Sequence, residues 1–148
     1  MVELEGSCDA RCFPTETTAR VSEVSVRYIV TDLDAAVAFY TGHLDFAVEM
    51  RPAPTFAMLR RGDLRLLLSV PSGQGGGGQS MPDGRRPEPG GWNRFQVQVS
   101  DLGAMVDALR AASVRFRSDL IRGIGGNQVL LEDPSGNPVE LFEPARRP

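Results

Sequence analysis

Few residues in this 148-residue chain can do chemistry, and their placement narrows what that chemistry is. The single histidine, His43, cannot supply a two-histidine, one-carboxylate metal centre. Its place near the end of a predicted helix suits a partly exposed side chain at the negative helix end. The only cysteines, Cys8 and Cys12, lie in a head segment with no further ligands nearby and read as two free thiols. What remains is a polar set at alternate positions: Ser25 and Arg27 before Ile29, then Arg94, Gln96 and Gln98, then Glu140 before Phe142. Alternation places each set on one face of a strand. Two arginines, two glutamines and a glutamate beside Ile29 and Phe142 have the make-up of a small-molecule site. Trp92 precedes the second set and is expected at the cavity mouth. Glu140 could act as a general acid or base, with an arginine stabilising developing negative charge. Arg27, Arg94 and Glu140 could equally form a buried ion-pair network, because charges that leave water must be paired.

The elements that must position these residues follow from periodicity. Val24, Val26, Tyr28 and Val30 alternate with Ser25, Arg27 and Ile29, which predicts a two-faced strand. Thr31-Asp32 caps a helix starting at Leu33, with Leu33, Val37, Tyr40 and Leu44 on one face. Short strands are predicted near 46–51, 55–60 and 64–70, with Arg61-Gly62-Asp63 as a hairpin turn. Phe95, Val97 and Val99 then repeat the strand pattern, and Ser100-Asp101 caps a second helix burying Leu102, Met105, Val106 and Leu109. Further strands are predicted near 114–118, 127–132 and 138–143, the last two joined by Asp133-Pro134-Ser135-Gly136-Asn137.

The chain repeats itself. Val30-Thr31-Asp32-Leu33 returns as Val99-Ser100-Asp101-Leu102, 69 residues on, and the match continues at Ala35/Ala104 and Val37/Val106. Each half reads strand–helix–strand–strand–strand. One half alone would leave a sheet face open, so two halves side by side make a shared concave face. The expected division is an extension at 1–21, a first module at 22–70, a Gly/Pro-rich linker or lid at 71–92, a second module at 93–144 and a tail at 145–148. The glycines at 75–78 are not followed by Lys-Ser/Thr or a helix, so they do not read as a phosphate cradle.

Composition excludes several classes. Net charge is −3 with a pI near 5.2, and arginine supplies all the positive charge, so no basic nucleic-acid footprint is present. No apolar run approaches the ~20 residues that span a bilayer, and the acidic start lacks a signal-peptide core. The cytoplasm is the expected compartment, with neither membrane nor nucleic acid as partner.

Two segments carry a family resemblance. They are Val30-Thr31-Asp32-Leu33-Asp34-Ala35-Ala36-Val37-Ala38-Phe39-Tyr40 and Leu131-Glu132-Asp133-Pro134-Ser135-Gly136-Asn137-Pro138-Val139-Glu140-Leu141. With the repeat, they resemble the vicinal-oxygen-chelate superfamily: glyoxalase I, extradiol dioxygenases, methylmalonyl epimerases, fosfomycin-resistance enzymes and bleomycin-binding proteins. The resemblance implies an α+β fold of two tandem βαβββ modules, a curved mixed sheet around a cavity, and helices on the outer face. It also implies a homodimer.

Metalloenzymes of that superfamily draw ligands from the first and last strand of each module. Carried over, those positions fall at Ser25, near Leu67, at Arg94 and at Glu140. Only Glu140 is a good ligand; Leu67 has no donor and Arg94 would repel a cation. The leading expectation is therefore a metal-independent protein with no cofactor, binding an organic and possibly aromatic small molecule in the manner of the bleomycin-resistance branch. Arg27, Ile29, Trp92, Arg94, Gln96, Gln98 and Phe142 would contact the ligand. Two alternatives stay open: a metal-free lyase, isomerase or cyclase using Glu140 as acid or base, and a divalent-metal enzyme of glyoxalase or dioxygenase type.

Overall fold

The computed structural model describes residues 23–72 and 76–147. The expected extension, with Cys8 and Cys12, and the glycines at 73 and 75 lie outside the described residues. Strand β1 (Val24–Ile29) leads into helix α1 (Leu33–His43), whose first turn is closed by the Asp32 carboxylate accepting from Ala35 N–H at 3.0 Å. The second module copies this device: β5 (Gln96–Gln98) leads to α2 (Leu102–Ala111), and Asp101 accepts from Ala104 N–H at 3.0 Å. Just beyond each helix one residue turns left-handed, Asp45 at φ 60° and Ser113 at φ 65°.

Each module then supplies the rest of its own sheet. In the first, β2 (Ala47–Ala53), β3 (Phe56–Arg61) and β4 (Leu64–Ser69) run antiparallel in turn, and β4 closes back parallel against β1. The second repeats the order with β6 (Ile121–Arg122), β7 (Gly126–Glu132) and β8 (Pro138–Pro144), β8 lying parallel to β5. The result is two four-stranded mixed sheets, ordered β1-β4-β3-β2 and β5-β8-β7-β6. Among the described residues no ladder joins them.

The strand expected at 114–118 is shorter than its pattern suggests. Only Phe116 forms a bridge, to Leu131, because Arg117 and Ser118 both aim their N–H groups at the Leu130 carbonyl, at 2.8 and 3.3 Å. Two residues opposing one is a bulge, and it interrupts the ladder before β6 resumes it.

Side chains facing away from the concave sides build one core. Tyr28, Val30, Leu33, Phe39, Tyr40, Leu44, Leu66 and Leu68 from the first module meet Phe95, Val97, Leu102, Val106, Val139 and Leu141 from the second. Phe95 crosses between modules, with its ring centroid 5.3 Å from Tyr28, 6.2 Å from Tyr40 and 5.9 Å from Phe46. Offset and tilted rings at such spacings add to the gain from burial.

A polar seam fixes how the modules meet. The buried Asp133 carboxylate accepts from Tyr40 Oη at 2.8 Å, from Ser135 and Asn137 N–H at 2.9 Å, and from Asn137 Nδ2 at 3.0 Å. Asn137 Nδ2 also donates to the Ile29 carbonyl at 2.8 Å, and its Oδ1 accepts from Gly90 N–H at 2.8 Å. Tyr28 Oη donates to the Pro138 carbonyl at 2.7 Å. The turn of the second module is thus hydrogen-bonded to the first strand and helix of the other.

Two predictions follow from this seam. Tyr40→Phe leaves the buried Asp133 one donor short and should cost about 1–3 kcal/mol, read as a lower midpoint in urea unfolding with an unchanged slope. An unchanged midpoint would show that the seam is not holding the modules. The chain has two tyrosines, and both are buried. Burial pushes Tyr28 up to about 12, and burial with the neighbouring Asp133 carboxylate holds Tyr40 well above its ordinary value. Raised folded values favour the native state fully below the unfolded tyrosine pKa of about 10, and the advantage is lost as pH rises through the folded values. Absorbance at 295 nm should therefore stay flat near pH 10 and rise only together with loss of ellipticity at higher pH. A tyrosinate signal near pH 10 in folded protein would contradict this burial.

Candidate functional site

The ladders bring the two modules into exact correspondence. Arg27 on β1 pairs with Leu67 on β4, and Gln96 on β5 pairs with Glu140 on β8. Leu67 is therefore the first-module counterpart of Glu140, which fixes a register that sequence spacing left open by about a residue. The four positions inferred for metal ligands are occupied by Ser25, Leu67, Arg94 and Glu140. One hydroxyl, one hydrocarbon and one guanidinium around a lone carboxylate do not fit a divalent ion. Among the described residues, no group of three or more His, Cys, Asp or Glu is arranged to hold one.

In the second module Glu140 is already engaged. It is 7% exposed, and Oε1 accepts from Arg94 Nε at 2.9 Å while Oε2 accepts from Gln96 Nε2 at 2.6 Å. Arg94 Nη2 lies 2.9 Å from the same Oε1, and Nη1 reaches the Trp92 carbonyl at 3.3 Å. Both carboxylate oxygens are satisfied by charged or amide donors, as a buried carboxylate requires. Gln98 and Phe142 pair two rungs on; Gln98 is exposed and Phe142 half-buried.

Trp92 has a partner that sequence reasoning missed. It is 69% exposed, and the Arg117 guanidinium lies over its ring at 4.7 Å. Arg117 is itself held by Glu132 at 2.8 Å and by the carbonyls of Gly91 at 2.6 Å and Gly136 at 2.9 Å. Alternation could not have found this contact, because Arg117 sits at the bulge where the strand pattern fails.

The first module carries a hollow beside Arg27. A cavity of about 560 Å³ lies between Arg27, Ala53, Phe56, Ser69, Val70 and the backbone at 76–78. Arg27 Nη1 donates to Ser69 Oγ at 2.5 Å, and its guanidinium carbon lies 5.9 Å from the Phe56 ring centre. A smaller hollow of about 350 Å³ lies on the other side of Arg27 and brings it together with Ile29 and Arg94. Gln98 lines a third cleft, of about 640 Å³, between the modules beside Asp45, Arg61 and Glu143. The polar set read from alternation is thus distributed. Arg27, Ile29 and Arg94 border one hollow, Arg94, Gln96 and Glu140 form one network, and Trp92 and Gln98 stand elsewhere. Phe56, Ser69 and the glycine backbone are the additions; the glycine run was their only signal.

Comparison with known proteins places this architecture. No curated protein is a significant sequence match to the chain. The chain is similar in fold to a lactoylglutathione lyase from Agrobacterium tumefaciens, with TM-score 0.65, 23% identity, and coverage of 84% of this chain and 94% of that one. It is also similar to TnmS3, an antibiotic-binding protein from Streptomyces sp. CB03234, with TM-score 0.64, 20% identity and coverage of 86% and 98%. The fosfomycin resistance protein FosX from Listeria monocytogenes aligns with TM-score 0.61, 16% identity and coverage of 85% and 93%. At these identities the likeness concerns the fold alone. The sequence profile of the Glyoxalase/Bleomycin resistance protein/Dioxygenase superfamily matches residues 24–141, spanning both modules, and the chain belongs to that superfamily.

Proposed function

We propose that this protein binds an organic small molecule on its concave surface without a metal. The observation that carries the reading is the contrast between the two modules. The one carboxylate at a metal position, Glu140, is consumed by Arg94 and Gln96, whereas the first module keeps a cavity of about 560 Å³. That volume falls within the ordinary range for small-molecule sites, and its walls combine apolar side chains with one guanidinium and hydroxyls. An antibiotic-binding protein and an antibiotic-resistance protein among the fold relatives support a binding role for this architecture. Glu140 is already held by Arg94 and Gln96, which supports a structural use of this carboxylate. This favours binding over the acid–base alternative.

A homodimer and a cytoplasmic setting belong to the same proposal. Val48 and Met50 on β2 leave apolar side chains exposed at one edge of the first sheet, where a second copy would pack. No helix among the described residues is long and apolar enough to cross a membrane.

The test is a thermal-shift panel of aromatic natural products, run before and after treatment with EDTA, together with elemental analysis. Ligands that raise the melting temperature should do so equally in chelated protein. A tightly held equivalent of divalent metal that binding requires would overturn the reading. Glu140→Ala should lower stability by about 1–3 kcal/mol, or roughly 2–10 °C in melting temperature, while leaving ligand-induced shifts in place. Loss of every ligand shift in a folded Glu140→Ala protein would instead move the site to the second module.

A further inference from the structure

We infer that the first-module cavity takes an amphiphilic organic anion, with Arg27 receiving the carboxylate, sulfonate or phosphate and the Phe56 side receiving the apolar body. This rests on the reading of the cavity as a binding site and adds the chemical class of its ligand.

Among the described residues, Arg27 borders the cavity without a carboxylate partner. Arg51 pairs with Asp34, Arg60 and Arg65 with Glu23 and Glu49, and Arg94, just before β5, with Glu140, while Arg61 at the end of β3 donates to the Leu44 carbonyl away from this cavity. Arg27 faces no carboxylate among the described residues; its contacts are the Ser69 hydroxyl and the Phe56 ring. A guanidinium has five N–H donors, and the Ser69 contact uses one. Beside apolar walls such a cation is attractive to an anion, because bidentate charge-assisted bonds strengthen where water is thinned out.

The chain is also shaped around this group. A Cβ at Gly77 would fall 2.0 Å from Arg27 Nη1 and 2.8 Å from Ser69 Oγ, and one at Gly78 would fall 2.2 Å from the Val70 carbonyl oxygen. The carbonyl of Gly78 accepts from Ser72 N–H at 2.9 Å, tying the segment to the end of β4. Only residues without side chains let the backbone run this close to a guanidinium and still leave a cavity beside it. Apart from Thr55 and Ser69, the remaining side chains of the lining are apolar: Pro52, Ala53, Phe56 and Val70. A lining that joins one cation to hydrocarbon matches a ligand that joins an anion to an apolar body.

Two fluorescent probes with the same aromatic body separate these contributions: 1-anilinonaphthalene-8-sulfonate, and the uncharged N-phenyl-1-naphthylamine. Titrations would use the full chain, Arg27→Met, Gly77→Ala and Phe56→Ala, each checked for a native melting transition by circular dichroism. Arg27→Met should weaken the sulfonate roughly 10- to 100-fold and leave the neutral probe within about twofold, the size expected for losing a charge-assisted bidentate contact. Gly77→Ala, by displacing the guanidinium, should reproduce the selective loss, and Phe56→Ala should weaken both probes. If Arg27→Met affects both probes equally or neither, the anion assignment fails while the cavity reading stands. If neither probe binds the unaltered protein, the assignment and the cavity reading fall together.

Discussion

The carboxylate of Asp133 is the constraint on which the arrangement of the two modules depends. It is fully buried, and a charge in that position is tolerated only with its acceptor sites filled. Three of its donors come from its own turn, which holds the loop between β7 and β8 in one shape. The fourth is Tyr40, at the far side of the first module's helix. Asn137, positioned by the same carboxylate, reaches the Ile29 carbonyl at the end of β1. The sheets share no ladder among the described residues, so this polar seam and the Phe95 ring cluster set their relative placement. The hydrophobic core would tolerate many packings; the directional bonds select one.

With the scaffold fixed in this way, the two concave surfaces have diverged around a common register. Corresponding rungs hold Arg27 opposite Leu67 in one module and Gln96 opposite Glu140 in the other. With leucine where the other module has glutamate, Arg27 faces no carboxylate among the described residues and bonds the Ser69 hydroxyl instead. The second module does the reverse, closing its charges on each other through Arg94 and Gln96. The two faces thus differ in these side chains and in the backbone at 76–78 that walls the first cavity.

Much of the scaffold was legible in the sequence because it depends on local rules. The 69-residue repeat, the two aspartate caps and the strand alternation each reflect a periodicity, and Val30, Leu33, Tyr40, Val97 and Leu141 are buried as that periodicity requires. The site was less legible. Alternation says which residues share a face of one strand but not which strands face a common space. Arg27, Arg94 and Gln98 were therefore read as one wall, whereas Arg27 and Arg94 border one hollow and Gln98 another. Arg117 was invisible for a related reason: its role comes from a bulge, where the two-residue period breaks. The stacking of Trp92 depends on that break.

The glycine-rich segment shows how a composition signal can be physically meaningful and still point away from its commonest use. Consecutive glycines suggest a phosphate cradle when a helix follows, since the helix supplies aligned N–H groups. No helix follows here, and residues 76–78 form neither helix nor strand. What the glycines provide is thinness. The backbone passes close enough to Arg27 and Ser69 that a single methyl at position 77 would overlap the guanidinium, and at position 78 the obstacle is the Val70 carbonyl. A carbonyl in the main chain cannot swing aside as a flexible side chain can, so position 78 is the stricter of the two. Position 77 instead couples the segment to the orientation of Arg27. Any residue larger than glycine there must move the arginine that borders the cavity, so a stretch that reads as a linker helps to set the shape and charge of the cavity.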